Sequence, residues 1–241
     1  MRTLSLVHLY PKEMNIYGDT GNRLVLEQRM LARDIEVRIS LIGIGEHIPE
    51  DVDIIIGGGG QDAGQSVVQD DLAAKATDLI KLAENGVVML MVCGLYQLFG
   101  RRFVTGEGEE IKGIGLLPME TIAGKQRHIG NTLYEVRSGD TSLEIVGYEN
   151  HSGLTYLDDP SYAFGHVKKG AGNNGKDGTE GCVVNNVFGT YSHGPILSKN
   201  PEFADELIRR ALLLRYGEAE LNDLDDSLEH KAAELAKKRP R

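Results

Sequence analysis

Cys93 is the residue whose sequence surroundings best suit a nucleophile. The apolar run 87–92 leads directly into it, and Gly94 follows, after which apolar residues recur at helical spacing. This pattern predicts a buried strand, a tight turn at the cysteine and then a helix. That is the geometry of a nucleophile elbow, here without the usual Gly-x-Ser-x-Gly sequence. The N–H groups at a helix start favour a thiolate, whereas the alternative interpretation is a small, buried, inert cysteine.

A thiol nucleophile needs a base and a site for an oxyanion, and the chain has a candidate for each after a predicted strand. His193 follows the strand predicted over residues 188–191, and a tetraglycine run follows the strand predicted over residues 52–56. Because the carboxyl ends of parallel strands gather at one sheet edge, both candidates can meet Cys93. The alternative interpretation of His193 is a surface histidine. For the glycine run the alternatives are a plain loop and a phosphate cradle. The run lacks the G-x-G-x-x-G spacing and the Lys-Ser/Thr pair of nucleotide sites.

The elements that must position these residues alternate between strand and helix in the first half of the chain. The pattern predicts strands over residues 4–9, 35–42, 52–56 and 87–92, and helices over residues 23–33 and 66–84. In the second half it predicts short strands over residues 132–137, 144–148, 163–167 and 182–187, and one long helix over residues 201–216. The expected fold is therefore α/β, with a mostly parallel central sheet flanked by helices and extra short strands in the second half.

Composition narrows the class of protein. A net charge of −10 argues against a basic nucleic-acid-binding face, and 41% hydrophobic with 26% charged residues indicates a soluble globular chain. No apolar run approaches the roughly 20 residues of a membrane span, and the N-terminus does not have the pattern of a signal peptide. We therefore expect a cytoplasmic protein with both cysteines reduced. The scattered histidines and cysteines predict no metal site.

Two segments are set apart by their composition. Residues 168–181 are dense in glycine and lysine, which predicts a flexible surface loop. Residues 217–241 are acidic and then basic, with leucines at helical spacing. We therefore expect one domain over residues 1–216, followed by a charged helical tail over residues 217–241.

Several motifs resemble those of the class I glutamine amidotransferases, in the branch that contains cobyric acid synthase. The shared motifs are GGGGQD at residues 57–62, VCGLYQLFG at 92–100 and GTYSHGP at 189–195. Three further blocks resemble the small glutaminase subunits of lipid II isoglutaminyl synthases: IYGDTGN at 16–22, RHIGN at 127–131 and YENHSGLTYL at 148–157. The resemblance covers nearly the whole chain, except for the glycine- and lysine-rich loop and the tail.

This resemblance implies roles for particular residues. It implies a nucleophile and a base at Cys93 and His193, oxyanion donors at the N–H groups of Gly59 and Gly94, and substrate contacts at Gln97 and Arg127. A guanidinium suits the planar α-carboxylate of glutamine, which it can bind bidentately. Without the resemblance, Arg127 would be interpreted as a surface residue.

The implied activity is hydrolysis of L-glutamine to glutamate and ammonia through a cysteine thioester. The implied partner is a MurT-like ATP-dependent Mur ligase subunit, which uses the ammonia to amidate D-glutamate of the lipid II stem peptide in peptidoglycan synthesis. The resemblance places ATP and magnesium on that ligase and no cofactor on this chain. Two alternatives stay open: an independent cysteine hydrolase of γ-glutamyl compounds, and a non-catalytic scaffold subunit.

The chain departs from the family pattern at three positions. Met91 and Leu95 stand where glycines usually flank the nucleophile, which implies a differently shaped or more strained elbow. Pro195 stands where a glutamate usually follows the histidine, so the third catalytic acid is expected from the partner subunit. Glu149 and Asp19 are the candidates if the acid is local.

Overall fold

The structure, a computed structural model, describes residues 2–60, 62–138 and 141–239. Its helices are α1 (Thr20–Leu31), α2 (Asp62–Glu84), α3 (Gly94–Phe99), α4 (Pro201–Tyr216) and α5 (Ser227–Lys238). Its strands are β1 (Arg2–Leu9), β2 (Ile35–Ile42), β3 (Ile54–Gly57), β4 (Val88–Val92), β5 (Arg102–Val104), β6 (Glu110–Lys112), β7 (Met119–Ser138), β8 (Thr141–Leu157), β9 (Gly165–Lys169), β10 (Thr179–Glu180), β11 (Cys182–Val184) and β12 (Val187–Thr190).

The first sheet has the strand order β11-β12-β4-β3-β1-β2. Its pairs are parallel except for the β11–β12 hairpin at one edge. Every residue of β3 and β4 is buried, which explains why these strands are continuous apolar runs. The predicted α/β fold with a mostly parallel central sheet is confirmed.

The second sheet has the order β10-β9-β7-β5-β6, with β8 paired to β7. The β7–β8 hairpin is built from strands of 20 and 17 residues, much longer than the short strands expected in this half. Glycines such as Gly130 and Gly147, which suggest turns in the sequence, lie inside the ladder, which shifts register only between Ala123 and His128. Cross-strand pairing overrides the local preference of glycine to leave a strand.

The prediction of a flexible surface loop at residues 168–181 is wrong for residues 171–174, 179 and 180, which are buried, whereas residues 175–178 are exposed. Buried Glu149 holds this segment from β8, because its carboxylate accepts hydrogen bonds from the N–H groups of Ala171 at 2.9 Å and Gly172 at 3.0 Å. Asn173 is fully buried within the loop. Glu149 therefore positions the loop.

The C-terminal tail carries a helix and is tied to the sheet domain. The glycine after α4, Gly217, has φ +72°, a left-handed conformation that ends that helix. Before α5, Asp226 accepts a hydrogen bond at 2.5 Å from buried Arg29 of α1, which also pairs with Asp205 of α4. None of the helices in the described ranges is long and apolar enough to cross a membrane.

Candidate active site

Three adjacent strands bring the predicted catalytic residues to one sheet edge. Cys93 follows β4 directly, and β4 pairs with β3 on one side and β12 on the other. A Cβ atom added at Gly59 would lie 2.7 Å from Cε1 of His193 and 3.1 Å from Cβ of Cys93. Position 59, two residues after β3, therefore has to be glycine, because Cys93 and the His193 imidazole leave no room for a side chain.

Cys93 has the backbone conformation of an elbow. Its φ of 51° and ψ of −102° are rarely adopted by residues other than glycine, and α3 begins at the next residue. Met91 and Leu95, which replace the usual glycines, are accommodated because the neighbouring strand has a glycine, Gly57, beside them. A Cβ added at Gly57 would lie 2.2 Å from Cδ1 of Leu95 and 3.0 Å from Sδ of Met91. The space for these larger side chains therefore comes from Gly57.

The His193 imidazole has a carboxylate neighbour within the chain. Nδ1 of His193 lies 3.2 Å from Oδ1 of Asp19, and both side chains are 2% exposed. The premise that no local acid reaches the imidazole is therefore contradicted. Pro195 packs against Gly21 in the first turn of α1, since a Cβ added at Gly21 would lie 2.2 Å from Cγ of Pro195. The residue that replaces the usual glutamate thus contacts the helix that begins just after Asp19.

The electrostatics of the site favour a charged imidazole. Burial opposes the imidazolium, but the negative charge of Cys93 and the Asp19 carboxylate outweigh burial and raise the pKa of His193 to about 10. The ring of Tyr17 contacts the imidazole edge-on, with centroids 4.5 Å apart. At neutral pH this arrangement suits a protonated imidazole beside Cys93.

The two predicted oxyanion donors, the N–H groups of Gly59 and Gly94, have different surroundings. The N–H of Gly59 donates to Oδ2 of Asp19 at 2.7 Å, so it is free for an oxyanion only when Asp19 releases it. Gly94 begins α3 and lies against Gly60, whose N atom would be 2.8 Å from a Cβ at Gly94. Gly60 also lines the cavity in front of Cys93, a position that the sequence did not distinguish from its neighbours.

A cavity of about 350 Å³ opens in front of the thiol. Arg127, for which the family resemblance implies a substrate contact, lines this cavity. Its Nε donates to Oδ1 of Asn150 at 2.6 Å and its Nη2 to the Tyr17 hydroxyl at 2.9 Å. These contacts hold the guanidinium at the cavity, where it can meet a carboxylate. The lining residues are Ile16, Tyr17, Gly60, Cys93, Gln97, Phe103, Arg127, Asn150, His151, Ser152 and Gly153.

Gln97 is buried on α3 and also lines the cavity. Its Oε1 accepts from Nε2 of Gln65 at 2.5 Å, and its Nε2 donates to the Tyr191 hydroxyl at 3.1 Å. The amide is therefore held in one orientation beside Cys93. Sequence reasoning missed Gln65, Tyr17 and Tyr191, although Tyr17 stands in the quoted IYGDTGN block.

The second cysteine differs from Cys93 in its surroundings. Cys182 lies in β11, is fully buried and forms no disulfide. Burial raises the pKa of its thiol to about 12, which keeps it protonated. Only Cys93 of the two combines an elbow conformation with an adjacent imidazole.

Comparison with known proteins agrees with this geometry. The sequence model of the CobB/CobQ-like glutamine amidotransferase domain family matches residues 5–201 of this chain. The chain is 36% identical to subunit GatD of the glutamine-hydrolysing lipid II isoglutaminyl synthase of Staphylococcus aureus, over 98% of this chain and 95% of the relative. It is 37% identical to the corresponding GatD of Streptococcus pneumoniae, over 96% and 89%.

A solved structure also shares the fold. A chain in the structure of PurLQS from Thermotoga maritima superposes with a TM-score of 0.60 at 19% identity, over 89% of this chain and 97% of that one. At that identity the similarity shows the fold alone.

Proposed function

This chain belongs to the CobB/CobQ-like glutamine amidotransferase family, and we propose that it is the glutaminase subunit of a lipid II isoglutaminyl synthase. The observation that carries the proposal is the strained Cys93 elbow, with His193 beside it, opening on a cavity lined by Arg127. The near full-length identity to two GatD subunits supports the assignment within the family.

The reaction begins with the Cys93 thiolate attacking the γ-carbonyl carbon of glutamine, which forms a C–S bond and an oxyanion. Backbone N–H groups of the glycine run and of Gly94 stabilise that negative charge. The His193 imidazolium donates its proton to the amide nitrogen, the C–N bond breaks, and ammonia leaves a thioester. Water then attacks the thioester while His193 takes its proton, which releases glutamate and regenerates Cys93. Arg127 binds the α-carboxylate and Gln97 contacts the bound substrate.

The ammonia passes to a MurT-like ATP-dependent ligase subunit in a cytoplasmic heterodimer, which amidates D-glutamate of the lipid II stem peptide. ATP and magnesium belong to that ligase. Two exposed apolar side chains lie beside the site that we propose the partner covers: Ile16 lines the cavity and is 44% exposed, and Tyr148, whose backbone pairs with His193, is 39% exposed.

The test compares two alanine variants of the same type. Cys93→Ala abolishes ammonia release from glutamine while thermal unfolding stays close to that of the wild type, and Cys182→Ala retains activity. Loss of activity in Cys182→Ala with an active Cys93→Ala chain would overturn the assignment. Co-purification from the native cell then identifies the partner, and full glutaminase activity with no associated ligase would favour the independent hydrolase.

A further inference from the structure

His151 is a cavity residue to which the proposed reaction gives no role. It lies on β8, is 3% exposed, and its ring stacks on that of Tyr191 with centroids 3.6 Å apart and planes 6° from parallel. It lines the same cavity as Cys93 and Arg127. The stacking fixes the plane of the imidazole, so its two nitrogens have fixed directions.

The hydrogen bonds of His151 determine its tautomer. Nδ1 lies 2.8 Å from the carbonyl oxygen of Gly153, and a carbonyl only accepts, so Nδ1 carries the proton. Burial lowers the pKa of His151 to about 3, and the neighbouring His128, His193 and Arg127 act in the same direction. The ring is therefore neutral, and Nε2 presents a lone pair.

That lone pair has no hydrogen-bond partner among the described residues, although the atom is buried. A buried acceptor without a donor is costly, which suggests that the donor arrives with the ligand. Three other side-chain acceptors at the cavity are engaged by the protein: the Tyr17 hydroxyl and Asn150 Oδ1 accept from Arg127, and Gln97 Oε1 accepts from Gln65.

We propose that Nε2 of His151 accepts a hydrogen bond from the α-ammonium group of the bound glutamine, making His151 a specificity-determining residue. This inference rests on the proposed function. The α-ammonium is one carbon away from the α-carboxylate assigned to Arg127, and Arg127 is held by Asn150, the residue before His151. Among the residues that the structure describes, the lining of this cavity contains no carboxylate, so the neutral imidazole supplies the acceptor.

The test measures binding of L-glutamine by calorimetry to the full chain carrying Cys93→Ala, which prevents turnover. His151→Asn keeps a donor for the Gly153 carbonyl and removes the acceptor at the Nε2 position, whereas His151→Gln carries an amide oxygen that reaches that position. We expect about 10- to 100-fold weaker binding in the Asn variant, as for loss of a hydrogen bond to a charged group, and partial recovery in the Gln variant.

The second arm uses glutaramate, which is glutamine without its α-amino group. Glutaramate binds the Cys93→Ala chain more weakly than glutamine does, and His151→Asn adds no further loss, because the lost interaction is the same one. Equal losses for both ligands would show a structural role only and overturn the proposal, as would glutamine binding that is unchanged in His151→Asn. A chain that binds no glutamine with His151 intact would instead overturn the proposed function.

Discussion

Replacement of Asp19 by asparagine tests how the His193 imidazole is held. The carboxylate of Asp19 accepts from the Gly59 N–H at 2.7 Å and faces Nδ1 of His193 at 3.2 Å. A backbone N–H can only donate, so the asparagine oxygen has to face Gly59. Its NH₂ group then points at Nδ1, which must become the unprotonated nitrogen.

The consequence is the wrong tautomer at the catalytic base. With Nδ1 unprotonated, the proton resides on Nε2, and that nitrogen cannot take a proton from the Cys93 thiol or from water. Loss of one hydrogen bond to a charged group costs about 1.5–3 kcal/mol, and an inverted tautomer costs about 10⁴ in rate in a serine triad. We therefore expect kcat for glutamine hydrolysis to fall by about 10²- to 10⁴-fold in Asp19→Asn, with KM changed little.

The pH profile supplies a second measurement. Asp19 contributes to the raised pKa of His193, about 10, and the imidazolium is populated below that pH. Without the carboxylate the pKa falls, so the alkaline limb of the kcat/KM profile moves to lower pH in Asp19→Asn.

One further variant controls for general damage to the fold, and a second separates loss of the acid from the change of tautomer. Asp71→Asn changes a carboxylate that accepts from the Gly45 N–H at 2.8 Å and the Tyr10 hydroxyl at 2.7 Å, away from the cavity, and it leaves kcat unchanged. Asp19→Ala removes the acid without imposing a tautomer, so its loss is smaller than that of Asp19→Asn. An Asp19→Asn chain as fast as wild type, alone or in complex with its partner, would refute the reasoning. An Asp19→Asn chain that is faster than wild type would show that Asp19 keeps the Gly59 N–H from binding the oxyanion. If its activity recovers only in the complex, the third catalytic acid comes from the partner subunit.

Two further predictions concern substrate binding and stability. Arg127→Ala raises KM for glutamine about tenfold or more. Arg127→Lys does not restore KM fully, because an ammonium cannot make the two parallel hydrogen bonds of a guanidinium. Wild-type kinetics in the alanine variant would show that Arg127 is a surface residue without a role in substrate binding. Burial, opposed by hydrogen bonds from Thr190 and Tyr191, raises the pKa of Glu180 from 4.5 to about 7, so folding stability falls as pH rises through that interval. His151 and His193 also change stability between pH 5 and pH 8, so the measurement compares thermal unfolding of the wild type and Glu180→Gln at both pH values. We expect a smaller loss of stability at pH 8 in Glu180→Gln, and an equal loss in both chains would contradict the prediction.

Local patterns of apolar residues were sufficient to predict several helices and strands, including the strand and the helix on either side of Cys93. The helix predicted over residues 201–216 and the strand predicted over residues 35–42 have those bounds in the structure, and Cys93 lies between a strand and a helix as predicted. The period of apolar residues reports burial directly, and a change of period marks the elbow. The family motifs then placed His193 beside it.

The long hairpin and the loop at residues 168–181 could not be obtained in this way. The β7–β8 ladder crosses glycines that locally signal turns, and the loop is held by Glu149 from another strand. In both cases the stabilising hydrogen bonds join residues distant in sequence, which short-range propensity does not report.

Short sequence motifs were enough to establish the family and to predict the nucleophile and the base, because each motif has its own local geometry. The surroundings of these residues depend on the folded chain. Asp19 reaches His193 because α1 packs against the segment after β12, across a separation of 174 residues. The free nitrogen of His151 is recognisable only once Gly153 and Tyr191 have fixed its ring. The proton positions at this site follow from which donors and acceptors the fold brings within about 3 Å, a property that no single stretch of the chain contains.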